Sequence, residues 1–539
     1  MRNLVVIVAL IAGPLAAGAQ LDSALARRVD AVFAKFDSDH SPGCAVAIKR
    51  NGTIVYERGY GMASLELAVP ISPKTVMDVG SVSKQFTATA ILLLAIDGKL
   101  ALDDDARKYL PELPDVGARV TLRHLLTHTS GWRDYTDLMV LDGWDTRDHT
   151  GDREAWDAIK RVRALNFAPG STYRYSNTGY FLLGQIVSRV SGQSLTDFAR
   201  DRIFQPLGMT RTRFLPDTRA VVTGRATAYE PKDTGFVVDM SDWEQLGDGG
   251  VQTTVEDLAK WESNFDTPVV GGARLLEMLM THGRLTDGTE IGYTAGLVRD
   301  RYRGHERVQH GGAWAGYRAS IMRYPAERLA ILLTCNRGDA GMPSRLRGIA
   351  DIFLPPGGDA AAPFARPATG TPVAPLAGLY VSDAYGSRLS LDARGDSLFY
   401  AGDRRPLVPL GGDQFTDADG RLRLRFLAGK RVIITPVGEL PDTAPMVARV
   451  STRAPMQLAE FVGVYRGAEV SLEYSVVMHD GRLFVHLARG DDIALTPAFA
   501  DAFDSDSLPT VRFVRDAGGH VVAMSFTTGG IRDVRLMRR

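Results

Sequence analysis

Three short stretches carry side chains whose types and spacing fit covalent catalysis by a serine. In "VGSVSK" the residues Ser81 and Lys84 stand three apart, which places them on one face of a helix. A serine attacks well only when a nearby base takes its proton, and a lysine partly desolvated at the head of a buried helix has the lowered pKa that a base needs. The helix N-terminus also favours negative charge at the serine oxygen. In a chain of 539 residues, roughly two S-x-x-K matches arise by chance from average residue usage. A core helix that merely begins with a serine cap therefore explains this pair as well as a nucleophile does.

The second stretch, "YRYSNTGY", holds Tyr175 and Asn177. A tyrosine hydroxyl near an ammonium is biased toward phenolate and so toward accepting a proton, and an asparagine amide can fix a lysine and hydrogen-bond a substrate amide. An aromatic loop entering a helix is the plain alternative. The third stretch, "QHGGAWAGY", places His310 at the end of a strand-like run, with Gly311 and Gly312 letting a substrate backbone approach. The N–H of Ala313 can then join that of Ser81 in holding an oxyanion. His124 and His128 also share a helical face, but "LRHLLTHTSG" lacks the glutamate of an H-E-x-x-H site, so structural roles are expected for both.

These groups need elements to hold them. The apolar run "FTATAILLLAIDG" after Lys84 predicts a buried helix ending near Gly98. "GCAVAIKRNGTIVYERGYG" predicts a hairpin turning at Asn51-Gly52, and strand-like runs return between Tyr293 and Gly338, with helical periods between. Strands at both ends of a helical stretch imply one sheet closed by distant parts of the chain, hence an α/β domain with a helical lobe over 20–355. The Pro/Gly/Ala-rich stretch 356–374 is a linker. Beyond it, "LAGLYVS" and "FVGVYRG" begin two copies of one strand-rich pattern about 85 residues apart, predicting two small antiparallel barrel modules, 375–450 and 457–539.

Composition narrows the partners. With 63 basic and 63 acidic residues, the chain has no electrostatic footprint for nucleic acid or anionic membrane, so small molecules or peptides are expected. Residues 1–19 read as a secretory signal with cleavage after Ala19, its apolar run being too short to span a bilayer. An exported, periplasmic or extracellular protein without stable membrane insertion is expected. The two cysteines, Cys44 and Cys335, lie in apolar strand-like runs. An oxidising compartment permits a bridge between them, but buried free thiols are the expected state.

Taken in order, Ser-x-x-Lys, Tyr-Ser-Asn and His-Gly-Gly resemble the penicillin-recognising serine hydrolases, the superfamily of β-lactamases and penicillin-binding proteins. "LLTHTSG" and "GDGGVQTTVEDLAKW" are similar to that family too. The resemblance implies that Ser81 is acylated, that Lys84 and Tyr175 share the proton transfers, that Asn177 positions Lys84 and substrate, and that His310 lines the opposite wall. It requires no metal or organic cofactor. His-Gly-Gly replaces the Lys-Thr-Gly of β-lactamases, exchanging a fixed cation for a largely neutral imidazole. Together with the paired β-modules, this points to the D-aminopeptidase branch, and so to a serine hydrolase of D-amino-acid-containing peptides, amides or esters. Asp248, in a glycine-rich turn, is the candidate to hold a substrate ammonium. The alternatives are a class C β-lactamase or DD-carboxypeptidase, or a non-catalytic binding protein.

Overall fold

A computed structural model describes residues 21–355, 372–382, 386, 388–417, 422–436, 442–447, 455–488 and 492–539. The signal at 1–19 and most of the linker at 356–374 lie outside these residues. Among those described, no helix is long and apolar enough to cross a membrane.

The centre of the first domain is a six-stranded antiparallel sheet. Its strands are β1 (Cys44–Arg50), β2 (Thr53–Tyr60), β3 (Val298–Tyr302), β4 (His305–Trp314), β5 (Tyr317–Tyr324) and β6 (Leu329–Cys335), in the order β3-β4-β5-β6-β1-β2. The hairpin near the N-terminus thus pairs with the last strand of the domain, as the strand pattern predicts. Alternate residues serve opposite layers. Val46, Ile48, Ile331 and Leu333 pack with α1 (Ser23–Phe33) and the helix Met342–Phe353, whereas Ala45, Ala47 and Leu332 face the larger core beneath the helical lobe. Burial on both faces explains why β1 and β6 read as continuous apolar runs.

The same pairing corrects the expectation of free thiols. Cys44 lies directly opposite Cys335 across the β1–β6 ladder, with Cα atoms 4.0 Å apart, and the two form a disulfide. Neither cysteine reveals the other in sequence, because they stand 291 positions apart. Only the strand register brings them together.

α2 (Lys84–Ile96) runs through the main core and is buried on every side from Lys84 to Leu94. The turn before it differs from the expected helix start: Gly80–Ser83 form a 3-10 turn, and the α-helix begins at Lys84 itself. α3 (Asn177–Ser191) packs against α2 and ends at Gly192.

The C-terminal modules differ from each other. Residues 463–538 form a closed eight-stranded antiparallel barrel. The preceding module is an eight-stranded half-barrel with edge strands Ser397–Tyr400 and Val408–Gly411, and an isolated Phe399–Pro406 bridge joins the first of these to the segment just before the second. The half-barrel has a core of its own, built around Tyr380, Leu391, Leu424 and Phe426. The closed barrel has none that is separate: Tyr465, Tyr474, Phe503 and Phe526 belong to the same apolar cluster as α2 and α3. Polar contacts reinforce the join. Tyr474 donates to the Leu141 carbonyl at 2.6 Å, the Ser471 N–H donates to Asp142 at 2.6 Å, and Glu469 pairs with Arg133 at 3.0 Å.

The loop Thr528–Arg532 lies under the helical lobe. The Asp134 N–H donates to the Gly530 carbonyl at 2.9 Å, Asn166 Nδ2 donates to the same carbonyl at 2.8 Å, and the Arg174 guanidinium bonds the Thr528 and Gly529 carbonyls. A Cβ on Gly530 would meet Asp134 Cβ at 2.4 Å and Asp137 Oδ2 at 2.6 Å, whereas one on Gly529 would meet nothing within 4 Å. Gly530→Ala is therefore expected to cost about 1–3 kcal/mol through overpacking, with Gly529→Ala near neutral. Thermal unfolding of the two variants checks this, and equal midpoints would show that the loop yields freely.

Candidate functional site

Lys84 sits at the centre of the site. It is wholly buried, and its Nζ has three acceptors: Ser81 Oγ at 3.0 Å, Asn177 Oδ1 at 2.9 Å and the Asp248 carbonyl at 2.7 Å. Its three protons thus have three partners. Nζ also lies 4.8 Å from the centre of the Tyr175 ring and 5.7 Å from that of Tyr180, over their electron-rich faces. Burial lowers the lysine pKa to about 8, against an opposing pull from the Asp248 and Asp134 carboxylates. Burial thus brings loss of the Lys84 proton toward neutral pH.

Each partner has its own support. Ser81 is held by the 3-10 turn, where the Gly80 N–H donates to Asp78 Oδ1 at 2.7 Å. Gly80 has φ +49°, and β4 crosses so closely that a Cβ at Gly80 would lie 2.8 Å from the Ala313 nitrogen. On the β4 side, a Cβ at Gly312 would meet the Val79 carbonyl oxygen at 1.9 Å. This glycine therefore admits the protein's own chain, where the sequence suggested room for a substrate backbone. The close crossing brings the Ala313 N–H beside Ser81, the arrangement an oxyanion hole requires. Asn177 opens α3, and its N–H donates to Asp134 Oδ2 at 2.5 Å. The opposite carboxylate oxygen caps the helix Tyr135–Leu141 through the Thr136 N–H at 2.9 Å.

Tyr175 corrects the expectation of an easily ionised phenol. Burial pushes its pKa well above the ordinary value, with the Ser81 hydroxyl pulling the other way. Its oxygen is enclosed and makes no hydrogen bond of normal geometry. At rest the phenol keeps its proton, and the neighbouring group that burial brings toward deprotonation is Lys84.

His310 lies behind the cleft wall. Its Nδ1 bonds the Gly311 carbonyl at 2.6 Å, so Nδ1 carries the proton and Nε2 accepts from the Tyr293 hydroxyl at 3.0 Å. Burial and the nearby Lys84 charge lower its pKa to about 4, leaving a neutral ring at pH 7. His128 is also neutral. Its Nδ1 accepts the Ser176 N–H at 3.1 Å while its ring packs 4.2 Å from that of Tyr175, so it shapes the site from beneath. His124 accepts the Thr121 N–H at 3.3 Å within a helix cap.

The cleft over Ser81 has a volume of about 420 Å³. Ser81, Asn177, Asp248 and Ala313 line it, whereas Lys84 and His310 are buried outside that lining, and Gly311 is exposed on β4. Asp248 Oδ2 accepts the Tyr135 hydroxyl at 3.0 Å, while Oδ1 is buried without a partner. Burial raises its pKa to about 6 against the pull of Lys84. Sequence reasoning missed Asp78, Asp134, Tyr135, Tyr293 and the aromatic pair Trp243–Trp314. Asp134 had a local signal, an aspartate immediately before an apolar helix. The others are defined by partners distant in sequence.

Residues 24–353 match the model of the Beta-lactamase family. The chain belongs to the Beta-lactamase family. Over 96% of its length it is 28% identical to the D-aminopeptidase of Gluconobacter oxydans (strain 621H), covering 99% of that protein. It is 31% identical to the D-aminopeptidase of Brucella anthropi over 55% of this chain and 56% of that one. Among solved structures, the octameric penicillin-binding protein homologue from Pyrococcus abyssi superposes with a TM-score of 0.55 at 25% identity, covering 78% of this chain and 99% of that chain. Within the Beta-lactamase fold, the 3-10 turn, the head of α3 and β4 are the elements that converge on Ser81.

The Lys84 environment predicts a pH dependence. The free amine is the form that can take the Ser81 proton, so labelling of Ser81 by a fluorophosphonate should rise with pH through about 8 and then level off. Lys84→Arg keeps the charge but cannot release it. Its labelling should be flat with pH and slower by about a hundredfold or more. A wild-type profile without a step near 8 would remove Lys84 as the base.

Proposed function

We propose that this chain is a serine hydrolase that cleaves D-amino-acid-containing peptides, amides or esters through an acyl-enzyme on Ser81. The observation that carries the reading is the buried Lys84, bonded at once to Ser81, Asn177 and the Asp248 carbonyl. The D-aminoacyl preference draws on the full-length likeness to the Gluconobacter oxydans D-aminopeptidase.

Neutral Lys84 takes the Ser81 proton as Oγ attacks the substrate carbonyl, and the negative charge develops between the Ser81 and Ala313 N–H groups. The lysine is then an ammonium, and Tyr175 above it relays a proton to the leaving nitrogen as the C–N bond breaks. Water attacks the ester in the second half, giving its proton back through the same pair while Ser81 leaves protonated. Asn177 holds Lys84 through both halves. Asp248, which lines the cleft, is the acceptor proposed for the substrate's ammonium. His310 supports the wall as a neutral ring and supplies no charge for a substrate carboxylate, which argues against penicillins as the main substrates.

Export belongs to the same proposal. The signal-like pattern at 1–19 and the Cys44–Cys335 bridge both suit an oxidising compartment outside the cytoplasm.

The reading is tested with D- and L-aminoacyl amides, acyl-D-Ala-D-Ala peptides and nitrocefin. Cleavage of D-aminoacyl amides should exceed the rest, and Ser81→Ala should lose about a thousandfold or more of it. Turnover surviving in Ser81→Ala, or nitrocefin as the one good substrate, would overturn it.

A further inference from the structure

One wall of the cleft does nothing in the proton transfers. Trp314 directly follows Ala313, and its ring lies 5.6 Å from that of Trp243. Both line the cleft with Ser81, together with the Met240 side chain. Trp243 is buried while Trp314 is only partly so, and part of a large apolar indole left along the cleft forgoes burial that a folded core would normally secure.

The pair is held firmly. Trp243 Nε1 donates to the Asp145 carbonyl at 2.8 Å, and the Met240 sulfur accepts the Ala228 N–H at 3.2 Å. The hairpin tip that carries Trp314 is tied down by the Gly316 N–H, which donates to the Asp239 carbonyl at 3.0 Å. Gly316 packs so closely on the Tyr229 backbone that a Cβ there would sit 2.7 Å from the Tyr229 nitrogen. Trp314 itself is only half-buried. The result is a preformed apolar surface one residue away from an oxyanion donor.

We propose that the Trp243–Trp314 wall receives the side chain of the residue whose carbonyl Ser81 attacks, and that the enzyme prefers aminoacyl substrates with an aromatic side chain. This rests on the reading of Ser81 as nucleophile. A carbonyl oxygen held at Ala313 leaves the adjoining Cα substituent within reach of the next residue along β4. An aromatic ring there stacks on Trp314 and completes its burial, whereas a methyl group cannot reach across.

Simple amides isolate the effect, because their leaving group is only ammonia. Binding is measured by calorimetry on the Ser81→Ala protein, so that the readout does not depend on turnover. D-phenylalanine amide should bind about 10- to 100-fold more tightly than D-alanine amide, as burying one phenyl ring implies. Adding Trp314→Ala should remove most of that ratio by weakening the phenylalanine amide alone, and Trp314→Phe should retain much of it. A third ligand, D-alanine anilide, carries its ring on the leaving side. Four results would overturn the proposal: equal binding of the two amides, binding of neither, equal weakening of both by Trp314→Ala, or a gain confined to the anilide. Loss of the hydrolase reading would appear separately, as wild-type turnover that is absent or independent of Ser81.

Discussion

The site depends on keeping one amine in a place where its charge is disfavoured. Lys84 is removed from water, surrounded by neutral aromatic and imidazole rings, and compensated by three acceptors aimed at its three protons. An ammonium in such a pocket is costly without that compensation, and a free amine wastes part of it. The protein holds the lysine between the two states, which is what a base working near neutrality requires. The rest of the arrangement serves this compromise. α2 carries the lysine through a largely apolar core, α3 offers Asn177, and the Gly247–Gly250 turn offers the Asp248 carbonyl.

Much of this was legible in the sequence because the chemistry is carried by neighbours in the chain. Ser81 and Lys84 are one turn apart, Tyr175 and Asn177 are two residues apart, and the glycines after His310 announce a close approach. The hairpin at Asn51-Gly52 and the return of strands after Tyr293 likewise gave the sheet its two halves. What the sequence could not show were directions and partners. Tyr175 looks poised to ionise beside a lysine, but enclosure pushes it the other way, and enclosure is a property of the whole core. Gly312 reads as space for a ligand, yet the space is filled by Val79, whose position follows from a turn more than 200 residues earlier. The cysteines are opposite one another only because β1 and β6 pair in that register.

Two kinds of support separate in the structure. Groups that touch the lysine are set by local turns and helix ends, so they tolerate little movement. Groups that shape the cleft, among them Trp243 and Trp314, hang from a loop of the helical lobe and from the tip of the β4–β5 hairpin. Loops placed over a fixed scaffold are where specificity can vary without disturbing the chemistry.

The join between the closed barrel and the helical lobe has a consequence for synthesis. Asp134 holds the N–H of Asn177 through its side chain and is itself held through its backbone by Gly530. Every residue of the site is therefore made long before the segment that braces it. The loop Thr528–Arg532 acts as a keystone, so a polypeptide cut short before it carries Ser81, Lys84, Tyr175 and Asn177 without the frame that aligns them.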